Sequence, residues 1–179
     1  METNSSKLNL VREHIKSYKD FPKQGIVFRD IFSVLLNNQS FKALCDLVID
    51  HIKKLDKKFD AVVGLESRGF LLGPLVALEF SLPFVPIRKK GKLPGPVTSV
   101  AYSLEYSTDV FEMQRDSLKE GQTVLIIDDL LATGGSLKAS CDLLSSLKIE
   151  VAECLVIMEL NDLRGRDNVP APVYSMVQF

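Results

Sequence analysis

The chain has 179 residues, 46% of them hydrophobic, which is enough to bury a core and fold as one domain with room for a small appendage. Its 22 basic and 23 acidic residues leave no global charge to attract nucleic acid or an anionic membrane, so any anion site must be local. Three dispersed cysteines (Cys45, Cys141, Cys154) in apolar segments fit reduced, buried thiols, and no CxxC or HExxH spacing points to a protein-built metal site.

The N-terminal stretch METNSSKLNLVREH lacks a basic-then-apolar leader pattern, and no apolar run approaches membrane-spanning length. A soluble, cytoplasmic protein is expected. Leu8, Val11, Ile15 and Tyr18 are spaced for one amphipathic helix, and Phe41, Leu44, Val48, Ile52 and Leu55 for a second. Lys53, Lys54, Lys57 and Lys58 fall on its solvated side, and His14 and His51, among charged neighbours, are expected at the surface. Between the helices, DFPKQGIVFRDI has the Pro and Gly of a structured loop or short edge strand.

Next, Ala61 to Gly64 forms a short buried strand, Glu66 to Gly69 a polar turn, and Phe70 to Phe80 an apolar helix. SLPFVPIRKK supplies another strand ending at Arg88, so this strand-helix-strand unit predicts parallel pairing with a right-handed crossover. In the Gly-Pro-rich segment that follows, Val100, Tyr102, Leu104 and Tyr106 alternate at period two, which predicts a hairpin-like, mobile excursion. TVLIIDD is a third core strand, Ser136 to Leu147 a third helix with Leu137, Cys141 and Leu144 on one face, and EVAECLVIMEL a fourth strand. The alternation defines an α/β fold with a central, mostly parallel sheet flanked by helices.

The chemistry concentrates in VLIIDDLLATGGSLKAS. A strand buried on both faces delivers Asp128 and Asp129 to its carboxyl end, where open α/β sheets bind ligands. Ala132, Thr133, Gly134, Gly135 and Ser136 then offer successive N–H groups, two hydroxyls and a helix N-terminus, the elements of a phosphate cradle. Neither GxxxxGK[ST] nor GxGxxG is present, which argues against a triphosphatase loop and a dinucleotide site. Acids beside a phosphate cradle suit a sugar phosphate: carboxylates for the hydroxyls, loop for the phosphate. Other polar groups are less specific when taken singly. Ser67-Arg68-Gly69 is an ordinary turn, Lys89, Lys90 and Lys92 read as a solvated basic loop, Glu105 as the outward position of a strand, and Phe28 as a core residue.

Together, the apolar run, paired acids and Thr-Gly-Gly-Ser turn resemble the phosphoribosyl diphosphate motif of the type I phosphoribosyltransferase family. DDLLATGG, GLESRGF, IRKKGKLPGP, YSLEY and FPKQGIVFRDI occur in the order found in its adenine-using members, over nearly the whole chain. The resemblance implies that fold across residues 1–179 as a single domain, with a base-recognising N-terminal hood at about 20–36 and a flexible lid at about 89–116. It implies that Asp128 and Asp129 bind ribose hydroxyls, that Ala132 to Ser136 hold the 5′-phosphate, and that Ser67, Arg68, Lys89 and Lys92 meet diphosphate. Spacing does not tell which lysine points inward. Ser136 stands where Thr is commoner, preserving the hydroxyl, and Glu66 where Asp is frequent.

Glu105 is implied as the catalytic group over the reacting centre, in proton handling or in charge stabilisation, with Tyr106 closing beside it. Val27, Phe28 and Arg29 would recognise adenine, Phe28 by stacking and the others through their backbones, with Leu130 as the opposite wall. The expected reaction transfers the phosphoribosyl group of phosphoribosyl diphosphate to adenine, giving AMP and diphosphate in purine salvage. Mg²⁺ would be carried mainly by the substrate, without dedicated protein ligands, and the enzyme would be a homodimer. Two alternatives stand beside it: a phosphoribosyltransferase for another purine, and a non-catalytic sensor of phosphoribosyl diphosphate.

Overall fold

A computed structural model describes residues 3–104 and 107–179, which fall into two compact units, the first ending at Leu55 and the second running from Asp56 to Phe179. In the first, α1 (Asn4–His14) is capped by Thr3, whose Oγ1 accepts the Ser6 N–H at 3.2 Å. The helix stops at Ile15, where the backbone becomes extended (ψ 99°). Tyr18 therefore lies on a strand and not on the helix expected from its spacing, because β1 (Lys16–Lys19) pairs antiparallel with β2 (Val27–Asp30), opposing Tyr18 to Phe28. A short helix, α2 (Phe32–Leu35), precedes α3 (Asn38–Ile52). Asn37 caps α3 by accepting the N–H groups of Gln39 and Ser40, and Ala43, Leu44, Leu47, Val48 and Ile52 form its buried face. His14 and His51 are half-buried, less exposed than their charged neighbours suggest; the His14 ring packs back on the Leu10 carbonyl at 2.8 Å.

The second unit contains, in chain order, β3 (Ala61–Leu65), α4 (Gly69–Glu79), β4 (Phe84–Lys89), β5 (Val97–Leu104), β6 (Ser107–Gln114), β7 (Thr123–Leu131), α5 (Gly135–Ser146), β8 (Glu150–Glu159) and β9 (Val173–Gln178). They form a seven-stranded sheet in the order β5-β6-β4-β3-β7-β8-β9. The five strands from β4 to β9 in that order are parallel to their neighbours, and β5–β6 is an antiparallel hairpin joined to β4 at Arg88 and Lys89. The expected α/β architecture is thus present. β3 and most of β7 are buried on both faces, which is why their sequences are unbroken apolar runs. Two details differ from the sequence expectation. β7 continues through Asp128 and Asp129 to Leu131, because Asp128, Leu130 and Leu131 keep pairing with β8, and β9 completes the sheet although Tyr174 and Met176 give it only weak alternation.

Core packing fixes what the strand ends carry. Leu137, Cys141 and Leu144 of α5 are buried as their spacing predicts, alongside Ala61, Val63, Ile126, Cys154 and Val156 of the sheet. The three cysteines are free thiols, Cys141 and Cys154 being buried. No helix among the described residues is long and apolar enough to cross a membrane.

Candidate active site

The carboxyl ends of β3, β4 and β7 share a cavity of about 390 Å³ in the second unit, lined by Glu66, Ser67, Arg68, Lys89 and the continuous run from Asp128 to Leu137. Parallel pairing makes this convergence automatic: Leu65 is in register with Ile87, and Gly64 with Ile127, so the residues that follow leave the sheet together.

On the β7 side, the loop before α5 is shaped by packing. Gly134 has φ +84°, and a Cβ there would collide with the Gly165 carbonyl. Asn168 Nδ2 donates to the Thr133 carbonyl at 2.9 Å, and Ser140 Oγ donates to Ser136 O at 2.9 Å. The loop is therefore clamped by Asn168 and Gly165 beyond β8 and from within α5, and it lines the cavity next to the N-terminus of that helix. No acidic side chain occupies the first turn of α5.

Asp128 and Asp129 precede this loop. Asp129 is buried and ion-paired with Arg68 Nε, and its N–H donates to Asp128 Oδ1 at 2.9 Å. Arg68 reaches it because α4 begins with Gly69, which lies against the Ile127 carbonyl where any Cβ would collide. Burial and the adjacent Asp129 carboxylate push the Asp128 carboxyl well above its ordinary pKa, with Arg68 opposing them.

Glu66 organises the opposite wall. Arg88 Nε and Nη2 each donate to it at 3.2 Å, the Lys89 N–H donates at 3.2 Å, and Lys92 Nζ lies 2.7 Å away. Burial alone would raise its pKa, but Lys92, Arg88 and the Lys89 amide outweigh that and bring it down to about 2. Lys89 itself projects to the cavity wall, its Nζ 2.7 Å from Asp109 of β6. Glu66 thus acts as a scaffold for the cations around it.

The structure gathers Ser67, Arg68, Lys89, Asp128, Asp129, Leu130 and Ala132 to Ser136 around one cavity. Lys92 is engaged with Glu66 instead of lining that wall. Val27, Phe28 and Arg29 are on the β1–β2 hairpin of the first unit, where Phe28 packs edge-on against Phe21 at 5.2 Å. Glu105 and Tyr106 lie outside the described residues. Sequence reasoning overlooked Arg88 and Asp109. Arg88 is legible only through the β3–β4 register that sets it beside Glu66, and Asp109 only through the alternation that puts it on the same strand face as Phe111. Gly165 and Asn168, the outer clamp on the 132–136 loop, left no local signal.

A parallel sheet ending in paired carboxylates, a backbone anion cradle and a bank of cations defines a protein that binds phosphorylated sugars. The phosphoribosyl transferase domain model matches residues 33–178, and the chain belongs to that family. It is 48% identical to the adenine phosphoribosyltransferase of Rattus norvegicus over 178 residues, covering 98% of this chain and 99% of the relative. The Homo sapiens adenine phosphoribosyltransferase is also 48% identical, over 176 residues, covering 97% of this chain and 98% of that protein. Among solved structures, adenine phosphoribosyltransferase from Saccharomyces cerevisiae, complexed with adenine and an imino-altritol bisphosphate, superposes with a TM-score of 0.92 at 39% identity. That match covers 96% of this chain and 99% of the yeast chain.

Proposed function

We propose that the protein transfers the phosphoribosyl group of 5-phosphoribosyl 1-diphosphate to adenine, forming AMP and diphosphate in purine salvage. The observation that carries the sugar-phosphate half is the cavity where Asp128 and Asp129 adjoin the clamped Ala132–Ser136 loop, with Arg68 and Lys89 on the other side. The adenine half is supported by the relatives of nearly equal length, which are adenine phosphoribosyltransferases.

In this reading the loop holds the 5′-phosphate, Asp128 and Asp129 accept hydrogen bonds from the ribose hydroxyls, and Ser67, Arg68 and Lys89 face diphosphate, with Lys92 turning to it from its place on Glu66. The bond from the anomeric carbon to the diphosphate oxygen breaks with its electron pair leaving on oxygen, and a ring nitrogen of adenine bonds to the opposite face. The nitrogen then loses its proton. Positive charge develops on the sugar next to two carboxylates, so positioning and electrostatics supply the catalysis. Burial and Asp129 raise the Asp128 pKa, and positive charge developing beside it would favour the accepting, ionised form.

Among the described residues, no group of three or more His, Cys, Asp or Glu is placed to hold a metal ion. Two carboxylates beside a phosphate site fit Mg²⁺ coordinated largely by substrate oxygens, the usual preference of that ion. A substrate-borne Mg²⁺ would supply neutralisation of the charge on the departing diphosphate, beside Asp128 and Asp129. Val27, Phe28 and Arg29 are assigned to adenine, with Leu130 as a further apolar contact. Glu105 is assigned to the reacting centre and Tyr106 to the cover over it, both on family likeness. A cytoplasmic homodimer completes the proposal.

A panel of adenine, guanine and hypoxanthine, incubated with phosphoribosyl diphosphate and Mg²⁺ and scored for nucleotide, tests it. AMP from adenine with little product from the six-oxo purines is expected. Preferred turnover of guanine or hypoxanthine would transfer the assignment to another purine, and binding without any nucleotide would make the protein a sensor.

A further inference from the structure

Lys89 already has an anion on it. Its Nζ lies 2.7 Å from Asp109 Oδ2, on the strand of the hairpin that pairs with β4. Asp109 is fixed from two other directions: its Oδ1 accepts the Val110 N–H at 2.9 Å, and the Tyr102 hydroxyl donates to Oδ2 at 3.4 Å. The Tyr102 ring is seated 4.7 Å from that of buried Phe111, so this carboxylate is presented by a packed part of the hairpin. The Lys89 ammonium holds the Asp109 carboxyl below its ordinary pKa range, so it is ionised near neutrality.

Asp109 differs from Glu66. Four contacts from Arg88, Lys89 and Lys92 immobilise Glu66 as part of the wall. Asp109 touches, of those three cations, only Lys89, the one whose side chain lines the cavity.

We propose that Asp109 is a positioning residue that orients the Lys89 ammonium at the cavity wall and limits how tightly that side of the site holds diphosphate. The inference rests on the assignment of Lys89 to diphosphate made above. An ammonium has three N–H groups, so one can stay on Asp109 while the others meet phosphate oxygens. The carboxylate charge nevertheless stays, and it repels a ligand bearing several negative charges of its own. A neutral group of the same shape would keep Lys89 in place without that repulsion.

Asp109→Asn makes that substitution, retaining an oxygen acceptor for Lys89. At a separation of roughly 6 Å, partly exposed and screened by salt, removing one charge strengthens binding of a multiply charged anion by about three- to ten-fold. The measurement is calorimetric titration of wild type and variant with inorganic diphosphate and Mg²⁺, and separately with AMP, at low and high salt. Tighter diphosphate binding at low salt, a smaller gain at high salt, AMP affinity within about two-fold and a lower KM for phosphoribosyl diphosphate without a higher kcat support the proposal. AMP is the control because its phosphate belongs to the 132–136 loop.

Unchanged or weaker diphosphate binding in Asp109→Asn would overturn the proposal, as would an equal gain for AMP. Asp109→Ala, which removes the orienting oxygen as well as the charge, should gain less than Asn; a larger gain would deny Asp109 the orienting role. If wild type makes AMP and binds diphosphate while the variants behave identically to it, this inference fails and the proposed function stands. If wild type binds no diphosphate, both fail.

Discussion

In the proposed function the two sides of the cavity would attract anions by opposite means. The loop from Ala132 to Ser136 works through backbone: its shape comes from Gly134 at φ +84°, from the close approach of Gly165 and from the Asn168 hydrogen bond to Thr133. The other side, Arg68 and Lys89 at the wall with Arg88 and Lys92 gathered on Glu66, would work through charge, and those cations are paired with Asp129, Asp109 and Glu66. A backbone cradle is fixed by sterics, so its shape is sensitive to a single methyl group and does not depend on salt. A bank of paired charges tolerates small changes of shape, but its affinity depends on which carboxylate competes with the ligand.

The sharpest way to break this contrast is Gly134→Ala. The new Cβ meets both an unfavourable φ and the Gly165 carbonyl, so the loop must move, at a cost of about 1–3 kcal/mol or more in stability. AMP affinity should drop by at least ~10-fold, in proportion to the lost cradle geometry. Thermal unfolding and AMP titration check both; an alanine accepted without loss in either would show that the loop is not sterically fixed.

Arg68→Ala attacks the charged side. It leaves the buried Asp129 carboxylate without its partner and removes a candidate contact to diphosphate. A loss of about 10²-fold in kcat/KM is expected, comparable with removing one strong stabiliser of developing charge. Arg68→Lys should recover only part of it, since a point charge does not reproduce the guanidinium fork. Steady-state kinetics with adenine and phosphoribosyl diphosphate decide, and full activity in the lysine variant would deny the fork a role.

Glu66→Gln has a smaller effect with a definite pH signature. The folded-state pKa of Glu66, about 2, lies below its ordinary value of 4.5. A depressed carboxyl contributes stability that is present above the unfolded pKa and is lost as pH falls towards the folded value. The difference between wild type and Glu66→Gln should therefore be full at neutral pH and shrink between about 4.5 and 2. Because Arg88 and Lys92 are about a third to a half exposed, solvent screening reduces it to about 1–2 kcal/mol. Denaturant titrations at pH 7 and pH 3 test the sign, and a difference that grows on acidification would contradict it.

These two sides were unequally legible in the sequence. Asp128 to Ser136 is contiguous, and its order of apolar run, acids, glycines and helix maps directly onto strand end, loop and helix start, so its fold position and its place on the cavity could be read locally. The charged wall is assembled across the sheet. Glu66 meets Arg88 over 22 positions, and Lys89 meets Asp109 across a strand pair, so only the register reveals those partners. Tyr18 misled for a related reason: helical spacing continued past Ile15, yet pairing of β1 with β2 prevailed. β7 proved longer than its apolar run because backbone pairing with β8 does not require apolar side chains.

Tyr102→Phe probes the contrast most gently. Its hydroxyl donates to Asp109 at 3.4 Å, a long bond to a carboxylate whose main partner is Lys89. Burial, with the Asp109 charge next, pushes the phenol pKa up to about 12, so the group remains a donor through the neutral range. A raised folded-state pKa means that the phenol's contribution is present below its ordinary value of 10 and is lost between about 10 and 12. Removing the hydroxyl deletes its weak hydrogen bond to Asp109 and its interaction with the Ser136 hydroxyl while the ring stays packed on Phe111, so the loss should be about 1 kcal/mol. With Asp109 less restrained, the KM for phosphoribosyl diphosphate should change by no more than about two-fold, measured at fixed ionic strength. A change as large as that of Arg68→Ala would mean that the hairpin, and not the cation bank, sets the affinity of the charged side.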